Sequence, residues 1–182
     1  MTYLGLKAGK TYKERRTDTH VYFVGGPFSQ WWPSEFTAAV WPSMAERTWT
    51  SCEQFMMAGK ALLFHDVNTY DKITLVNDPK AIKALGRKVK NFDDLIWRLN
   101  AREIVYRGNL AKFSQNEQLN DYMRDVDDRS FVEGAIYDPV WGVKLSWNDP
   151  AIENPANWRG TNWLGEVLDR VKAELFSSPI LI

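Results

Sequence analysis

The sequence predicts an α+β fold: a predominantly helical single domain with a few short strands. Of its 182 residues, 45% are hydrophobic and 25% are charged, which is typical of a globular protein that buries a core. The most regular hydrophobic spacing has the three-and-four rhythm of helices. Short β-prone segments are few and do not alternate with helices as βαβ units require.

No internal repeat, low-complexity run or Gly/Ser linker divides the chain. We therefore predict one domain over residues 20–182. Residues 1–19 are basic and polar, and we expect them to form a weakly ordered N-terminal extension.

The first predicted elements are two strands and a helix. Residues 20–24 alternate weakly before a Gly-Gly-Pro turn, which indicates a short strand, and residues 36–41 are its expected partner. Thr50 and Glu53 fit a capping box, in which a hydroxyl and a carboxylate three residues later satisfy each other's amides. Helix-forming residues follow as far as residue 64.

Two further helices are predicted from their caps. Asp78, followed by a proline and ended by Gly86, predicts a short helix. Asn91 is the expected cap of the next helix, whose apolar residues keep helical spacing to about Gly108. Whether that helix continues through residues 110–113 stays open.

The C-terminal part is predicted to contain two strands or extended segments, followed by a final helix. Residues 130–135 and 140–145 are short and β-prone, and a Tyr-Asp-Pro turn separates them. Leu164, Val167 and Leu168 begin a helical apolar stripe that continues to residue 175, with charged residues on the opposite face.

Charge and cysteine content exclude some classes of protein. The chain has 23 Lys and Arg against 23 Asp and Glu, so no global attraction to nucleic acid or to an anionic membrane is expected. Cys52 is the only cysteine, which excludes an intramolecular disulfide and fits a reducing cytoplasm. No apolar stretch is long enough to span a bilayer. We therefore expect a cytoplasmic protein.

Glu53 and Lys60 lie seven residues apart on the predicted capped helix, about two turns, and so share one face. They can line a cleft together. From the helix alone, the alternative is that Glu53 serves the capping box and Lys60 faces solvent.

Glu133 stands within a β-prone segment, where a carboxylate must face water or be held by a partner. Asp138 follows at a turn near Trp141 and Gly142. Two carboxylates beside a tryptophan can supply an acid or base and a charge stabiliser for breaking a glycosidic bond. The alternative is that Asp138 only forms an Asx turn.

Two more residues have open interpretations. Trp97 lies on a helix among apolar residues, and it either belongs to the core or stacks on a base. Arg87 belongs to a small basic cluster that suits a phosphate but also suits a solvated face. Standard cofactor and metal motifs are absent, so we predict neither a metal nor a cofactor.

Taken together, the motifs resemble the NADAR superfamily of YbiA-like proteins over residues 20–176. Seven segments in the family's order carry the resemblance: residues 26–33, 52–61, 86–89, 110–116, 132–135, 137–143 and 158–165. One departure is Gln30, where many members have an asparagine, and a changed amide alters ligand choice.

The resemblance implies a YbiA-like fold and an N-glycosidase that needs no metal. Family members cleave phosphorylated ribosylamino-pyrimidine intermediates of riboflavin synthesis or remove ADP-ribose from guanine in DNA. The implied catalytic residues are Glu53, Lys60, Glu133 and Asp138. The implied substrate-binding residues are Ser29, Arg87, Trp97, Trp141, Gly142 and Asn162.

Lys60 has two possible roles, either as a fixed cation or, with a pKa depressed by burial, as an amine that forms an imine with a ring-opened sugar. The expected partner is a small nucleotide-like substrate or an ADP-ribosylated guanine, including one in single-stranded DNA, and no membrane. The rival class is a non-catalytic module that binds ADP-ribose or a nucleotide. An interaction protein of a toxin–antitoxin or phage-defence system also stays open.

Overall fold

A computed structural model describes residues 12–177 of the chain. Six α-helices and five short strands lie within this range, so the predicted α+β, predominantly helical fold is confirmed. Two compact units make up the chain, residues 30–116 and the paired segments 1–29 and 117–182. No Gly/Ser linker marks either boundary in the sequence.

The strands are β1 (Glu14–Arg16), β2 (His20–Phe23), β3 (Phe36–Ala38), β4 (Arg47–Trp49) and β5 (Ser130–Glu133). The helices are α1 (Cys52–Leu63), α2 (Val67–Thr74), α3 (Pro79–Gly86), α4 (Asp94–Gln115), α5 (Glu117–Arg124) and α6 (Trp163–Phe176). Two 3-10 helices, Pro150–Glu153 and Pro155–Asn157, precede α6.

The unit formed by segments 1–29 and 117–182 is built on a three-stranded sheet in the order β1-β2-β5. β2 pairs antiparallel with β1 and parallel with β5, which confirms strands in the predicted segments 20–24 and 130–135. β1 lies in the predicted extension, of which residues 1–11 are outside the described residues. Backbone pairing with β2, a contact that local pattern does not reveal, orders this strand.

Aromatic side chains pack on one face of this sheet. Phe28 contacts Phe23 and Phe131 edge-on, with ring centroids 5.6 and 4.7 Å apart. The parallel register pairs Phe23 with Glu133. This pairing fixes the position of Glu133 at the carboxyl end of β5.

One predicted strand pairing is wrong, and one of the two segments predicted as strands or extended segments is not a strand. Residues 36–41 contain β3, but it pairs antiparallel with β4 and not with the strand at 20–24. Residues 140–145 form bends rather than a strand, because their backbone groups make single hydrogen bonds and no ladder: Val143 N donates to Glu133 O at 3.0 Å, and Val143 O accepts from Arg159 N at 3.0 Å.

In the unit of residues 30–116, α1 is buried along most of its length and packs on α4. A Cβ at Gly59 would lie 2.7 Å from Ile104 Cγ2, and one at Gly108 would lie 2.8 Å from Phe55 Cδ1. Both glycines therefore permit the two helices to approach closely.

The start of α4 differs from the prediction. Asp93 caps the helix through its Oδ1, which accepts from Ile96 N at 2.9 Å. Asn91 instead has a left-handed backbone, with φ of 54°. The helix continues to Gln115, which settles the open question about residues 110–113.

Candidate active site

The N-terminus of α1 is capped one residue later than the sequence predicts. Ser51 Oγ accepts from Gln54 N at 3.2 Å, and Gln54 Oε1 accepts from Thr50 N at 3.0 Å. The predicted capping box of Thr50 with Glu53 is therefore wrong. Adjacent Thr and Ser are both good caps, so the sequence leaves the register ambiguous. Ser51 and Gln54 do the capping that the alternative interpretation assigned to Glu53.

Glu53 is 3% exposed in the first turn of α1, and its backbone N donates to Gln30 O at 2.9 Å. Next to it, burial raises the pKa of the Cys52 thiol to about 11, with Glu53 adding to the rise and Lys112 opposing it. The thiol is thus protonated at neutral pH. The Cys52 thiol is therefore not a thiolate nucleophile at this end of the helix.

Lys60 lies two turns further along α1. Its Nζ is 4.1 Å from the ring centroid of Phe92 and 5.6 Å from that of Trp97. Both distances are in the range of cation–π contacts. Burial lowers the pKa of Lys60. The structure thus brings together Lys60 and Trp97, two of the predicted site residues, and Trp97 is half-buried rather than a core residue.

Lys112 is fully buried, although it is not among the predicted site residues. Burial lowers its pKa to about 8. Its neighbours on the buried face of α4 include Asn109 and Phe113. A charged residue on an apolar helical face was the signal that could have found it.

Phe92 is the other missed residue. It precedes the cap of α4, outside any helical periodicity, and lies against the Lys60 ammonium. Only the fold brings the two together, because they are 32 residues apart in the chain. No local sequence signal marks this contact.

In the unit formed by segments 1–29 and 117–182, Asp138 forms a tight turn. Its Oδ1 accepts from Val140 N at 2.9 Å and from Trp141 N at 2.8 Å. This is the Asx-turn geometry that the sequence analysis kept as an alternative. The turn orients Trp141, whose ring packs edge-on against Trp163 with centroids 5.7 Å apart.

Asn162 holds the end of β5. Its Oδ1 accepts from Glu133 N at 3.0 Å, and its Nδ2 donates to Phe131 O at 2.9 Å. Gly142 packs tightly there too, since a Cβ would lie 2.9 Å from Glu133 O. The structure therefore groups Glu133, Gly142 and Asn162. The amide of Asn162 is engaged by backbone groups.

Replacing Asn162 by alanine is expected to cost about 3 kcal/mol of unfolding free energy, because one buried and one partly buried backbone group of β5 lose their partner and alanine must adopt a left-handed backbone. Asn162→Gly removes the same bonds without the backbone strain, so its loss should be about 1 kcal/mol smaller. Urea unfolding measures both.

Asn157→Ala, which removes one exposed bond to Ala151 O, is the matched control and should change little. If Asn162→Ala left the urea midpoint unchanged, the two hydrogen bonds from this side chain to β5 would not stabilise the fold.

Of the two remaining predicted residues, one lies in a turn and the other at the end of a helix. Ser29 is buried, and its N donates to Gly26 O at 3.0 Å. Arg87 is exposed and caps the C-terminus of α3. Its backbone follows Gly86, which packs directly on the Met57 side chain of α1.

Two statements about membranes and metals apply to residues 12–177 alone. None of the helices in this range is both long enough and apolar enough to cross a membrane. No group of three or more His, Cys, Asp or Glu side chains within it is placed to hold a metal ion.

The family model of the NADAR domain matches residues 19–176, so the chain belongs to the NADAR domain family. It is 38% identical over 168 residues to an N-glycosidase of Acanthamoeba polyphaga mimivirus, covering 87% of this chain and 97% of that one. It is 35% identical over 176 residues to the protein irg-1 of Caenorhabditis elegans, covering 90% and 83%.

A more distant match is the chloroplastic riboflavin biosynthesis protein PYRR of Zea mays, 23% identical over 138 residues. That alignment covers 72% of this chain and 20% of the maize protein. Among solved structures, the NMR structure of the E. coli protein YbiA superposes with a TM-score of 0.67 at 22% identity, covering 90% of this chain and 88% of YbiA. The predicted YbiA-like fold is confirmed.

Proposed function

We propose that the chain is a hydrolase that cleaves the N-glycosidic bond between a ribose and a nitrogen heterocycle. The observation that carries the proposal is the face of α1, where a buried carboxyl group at Glu53 is followed two turns later by Lys60 between two aromatic rings. The 38% identity to a viral N-glycosidase supports the reaction class.

Glycosidic cleavage passes through a transition state with positive charge at the anomeric carbon. In the proposed mechanism, the Glu53 carboxylate stabilises that charge or, when protonated, donates a proton to the departing nitrogen. Burial suits either role because it excludes water, so an electrostatic contact is stronger there than in solvent.

Lys60 is proposed to act as a fixed cation that binds a substrate phosphate. Its Nζ lies against the rings of Phe92 and Trp97, and aromatic faces stabilise the charged ammonium over the neutral amine. Trp97 is proposed to stack on the heterocycle. If Lys60 instead formed an imine, borohydride would trap a covalent adduct during turnover.

The remaining roles follow the family pattern. Glu133 and Asp138 are proposed catalytic carboxylates, and Trp141 is a proposed stacking residue whose ring orientation the Asp138 turn fixes. Ser29, Arg87, Gly142 and Asn162 are proposed to form or support the substrate-binding surface. We place the protein in the cytoplasm, which fits its single buried cysteine.

Two substrates fit the proposal. One is guanine-linked ADP-ribose in DNA, and the other is a phosphorylated ribosylamino-pyrimidine of riboflavin synthesis. The match to the maize riboflavin biosynthesis protein supports the second. A balanced net charge favours a small or short substrate over a long duplex, because proteins that track many phosphates carry a basic surface.

The first test is mass spectrometry of an oligonucleotide that carries ADP-ribosylated guanine, incubated with the wild type or with Asp138→Asn. We expect wild type to release ADP-ribose and the variant to be slower by about 100-fold or more. Asparagine keeps an Oδ1 that can accept the two backbone bonds of the turn, so the fold should survive.

The same assay with ribosylamino-pyrimidine phosphates covers the second substrate. Failure of wild type on both substrates would favour the rival class, a module that binds ADP-ribose or a nucleotide without cleaving it. Equal activity of wild type and Asp138→Asn would mean that Asp138 only forms its turn and takes no part in catalysis.

A further inference from the structure

Phe92 is an aromatic side chain that the fold holds in place while leaving it 44% exposed. The preceding Asn91 has a left-handed backbone, and the following Asp93 caps α4 through a 2.9 Å bond to Ile96 N. Both features fix the backbone on either side of the ring. A half-exposed phenylalanine gains only part of the free energy that full burial supplies, so burial alone accounts poorly for its position.

The contacts of the Phe92 ring point to another role. One is with the Lys60 ammonium, whose Nζ lies 4.1 Å from the ring centroid. Another is with Phe64, which meets the ring edge-on at 5.3 Å and is itself 5% exposed. Phe64 follows Lys60 by four residues, one turn, so the end of α1 supports the ring that its own lysine contacts.

The carboxylates that flank these aromatic residues in the chain are engaged elsewhere. Asp66 accepts from Thr69 N at 3.2 Å and Lys90 N at 2.9 Å. Asp93 caps α4, and Asp94 pairs with Arg98 at 2.6 Å. Aromatic faces, and not these carboxylates, are therefore the groups that hold the ammonium.

We propose that Phe92 is a positioning residue that holds the Lys60 ammonium on the face of α1 that Lys60 shares with Glu53. This inference rests on the proposed function, in which Lys60 is the cation of the site. The face of an aromatic ring carries partial negative charge and attracts a cation most strongly when the cation is partly desolvated, as the half-buried Lys60 is. A lysine side chain has four flexible bonds, and a fixed ring restricts where its charge can lie.

The two effects of the ring on Lys60 can be separated by choice of substitution. Phe92→Leu keeps an apolar cover but removes the ring face, so the pKa of Lys60 should fall further, by about half to one unit. Phe92→Ala also admits water, so the pKa should return toward its ordinary value. Phe92→Tyr keeps the ring face and should match wild type.

The experiment is an NMR titration of protein labelled with 13C at the lysine ε carbon, without substrate. The Lys60 signal is assigned by its loss in Lys60→Arg. Lys83, whose Nζ lies 5.5 Å from the Trp31 ring centroid, is an internal reference that should not move. Leu75→Ala, at an 82% exposed apolar residue, is the surface control and should leave Lys60 unchanged.

Kinetics supply the second readout. Phe92→Leu should lower kcat/KM by about 5- to 10-fold and shift the alkaline limb of its pH profile to lower pH, whereas Phe92→Tyr should restore both. Melting temperatures should stay close to wild type, because the ring is half exposed.

The inference is overturned if Leu, Ala and Tyr all leave the Lys60 pKa unchanged, or if all three move it equally. The titration needs no substrate, so it separates the two proposals. Suppose that the Lys60 pKa falls in Phe92→Leu, returns toward its ordinary value in Phe92→Ala and matches wild type in Phe92→Tyr, but the protein has no N-glycosidase activity. That result would refute the proposed function and leave the positioning role of Phe92 intact. Normal activity without this pattern of pKa values would refute the positioning role alone.

Discussion

Replacing Glu53 by glutamine is expected to lower turnover by about two to four orders of magnitude while the melting temperature stays within a few degrees of wild type. The side chain is 3% exposed, and glutamine has nearly its shape but can neither carry the charge nor donate a carboxyl proton. The cap of α1 uses Ser51 and Gln54, so the substitution leaves the helix start intact.

Single-turnover release of the heterocycle measures this effect, with urea unfolding of the same samples as the stability control. Glu46→Gln, at an exposed glutamate of the same unit, is the matched substitution and should behave as wild type. A drop in the unfolding midpoint that parallels the loss of activity would make Glu53 a structural residue. Full activity of Glu53→Gln would remove it from the mechanism.

The elements that the sequence predicts well are those decided by local chemistry. The stripe from Leu164 predicts α6, and Asp78 with its following proline predicts α3, because caps and periodicity lie within a few residues. β3 was assigned the wrong partner because strand pairing depends on residues distant in the chain. The start of α1 differs by one residue from the prediction because adjacent Thr50 and Ser51 can both cap a helix.

The candidate site divides in the same way. The shared face of Glu53 and Lys60 follows from helical spacing alone. The contact of Lys60 with Phe92 does not, because it depends on how the turn before α4 is placed. Likewise, no local pattern reveals that the Asn162 amide binds the backbone of β5, since its partners are about thirty residues earlier. Residue type suggests chemistry, and the fold decides whether a side chain is available for it.

Lys112 is expected to have a large and pH-dependent effect on stability. It is fully buried, and its pKa falls from the ordinary 10.5 to about 8 in the folded state. Between these pH values the unfolded chain holds a proton that the folded chain has released, so the lysine's contribution to stability rises with pH. A difference of about 2.5 pKa units corresponds to roughly 3 kcal/mol.

Other groups oppose this trend, so the lysine must be isolated by comparison. The folded pKa of Cys52 is raised to about 11, and that of Tyr122 is raised as well, so both reduce stability as the pH rises through their unfolded values. We therefore expect the unfolding free energy of wild type, minus that of Lys112→Met, to increase by about 3 kcal/mol between pH 7 and 10.5.

Urea unfolding at unit steps of pH measures this difference, and Lys72→Met, at an exposed lysine, should give a curve parallel to wild type. If the unfolding free energies of wild type and Lys112→Met changed in parallel with pH, the buried amine would keep its ordinary pKa through its own hydrogen-bond partners. The predicted increase with pH would instead show that burial of the Lys112 ammonium lowers the unfolding free energy near neutral pH. This ammonium opposes the rise in the pKa of Cys52, the neighbour of Glu53. Ionisable groups with strongly shifted pKa values cluster at functional sites, so this result would make Lys112 the next residue to test for activity.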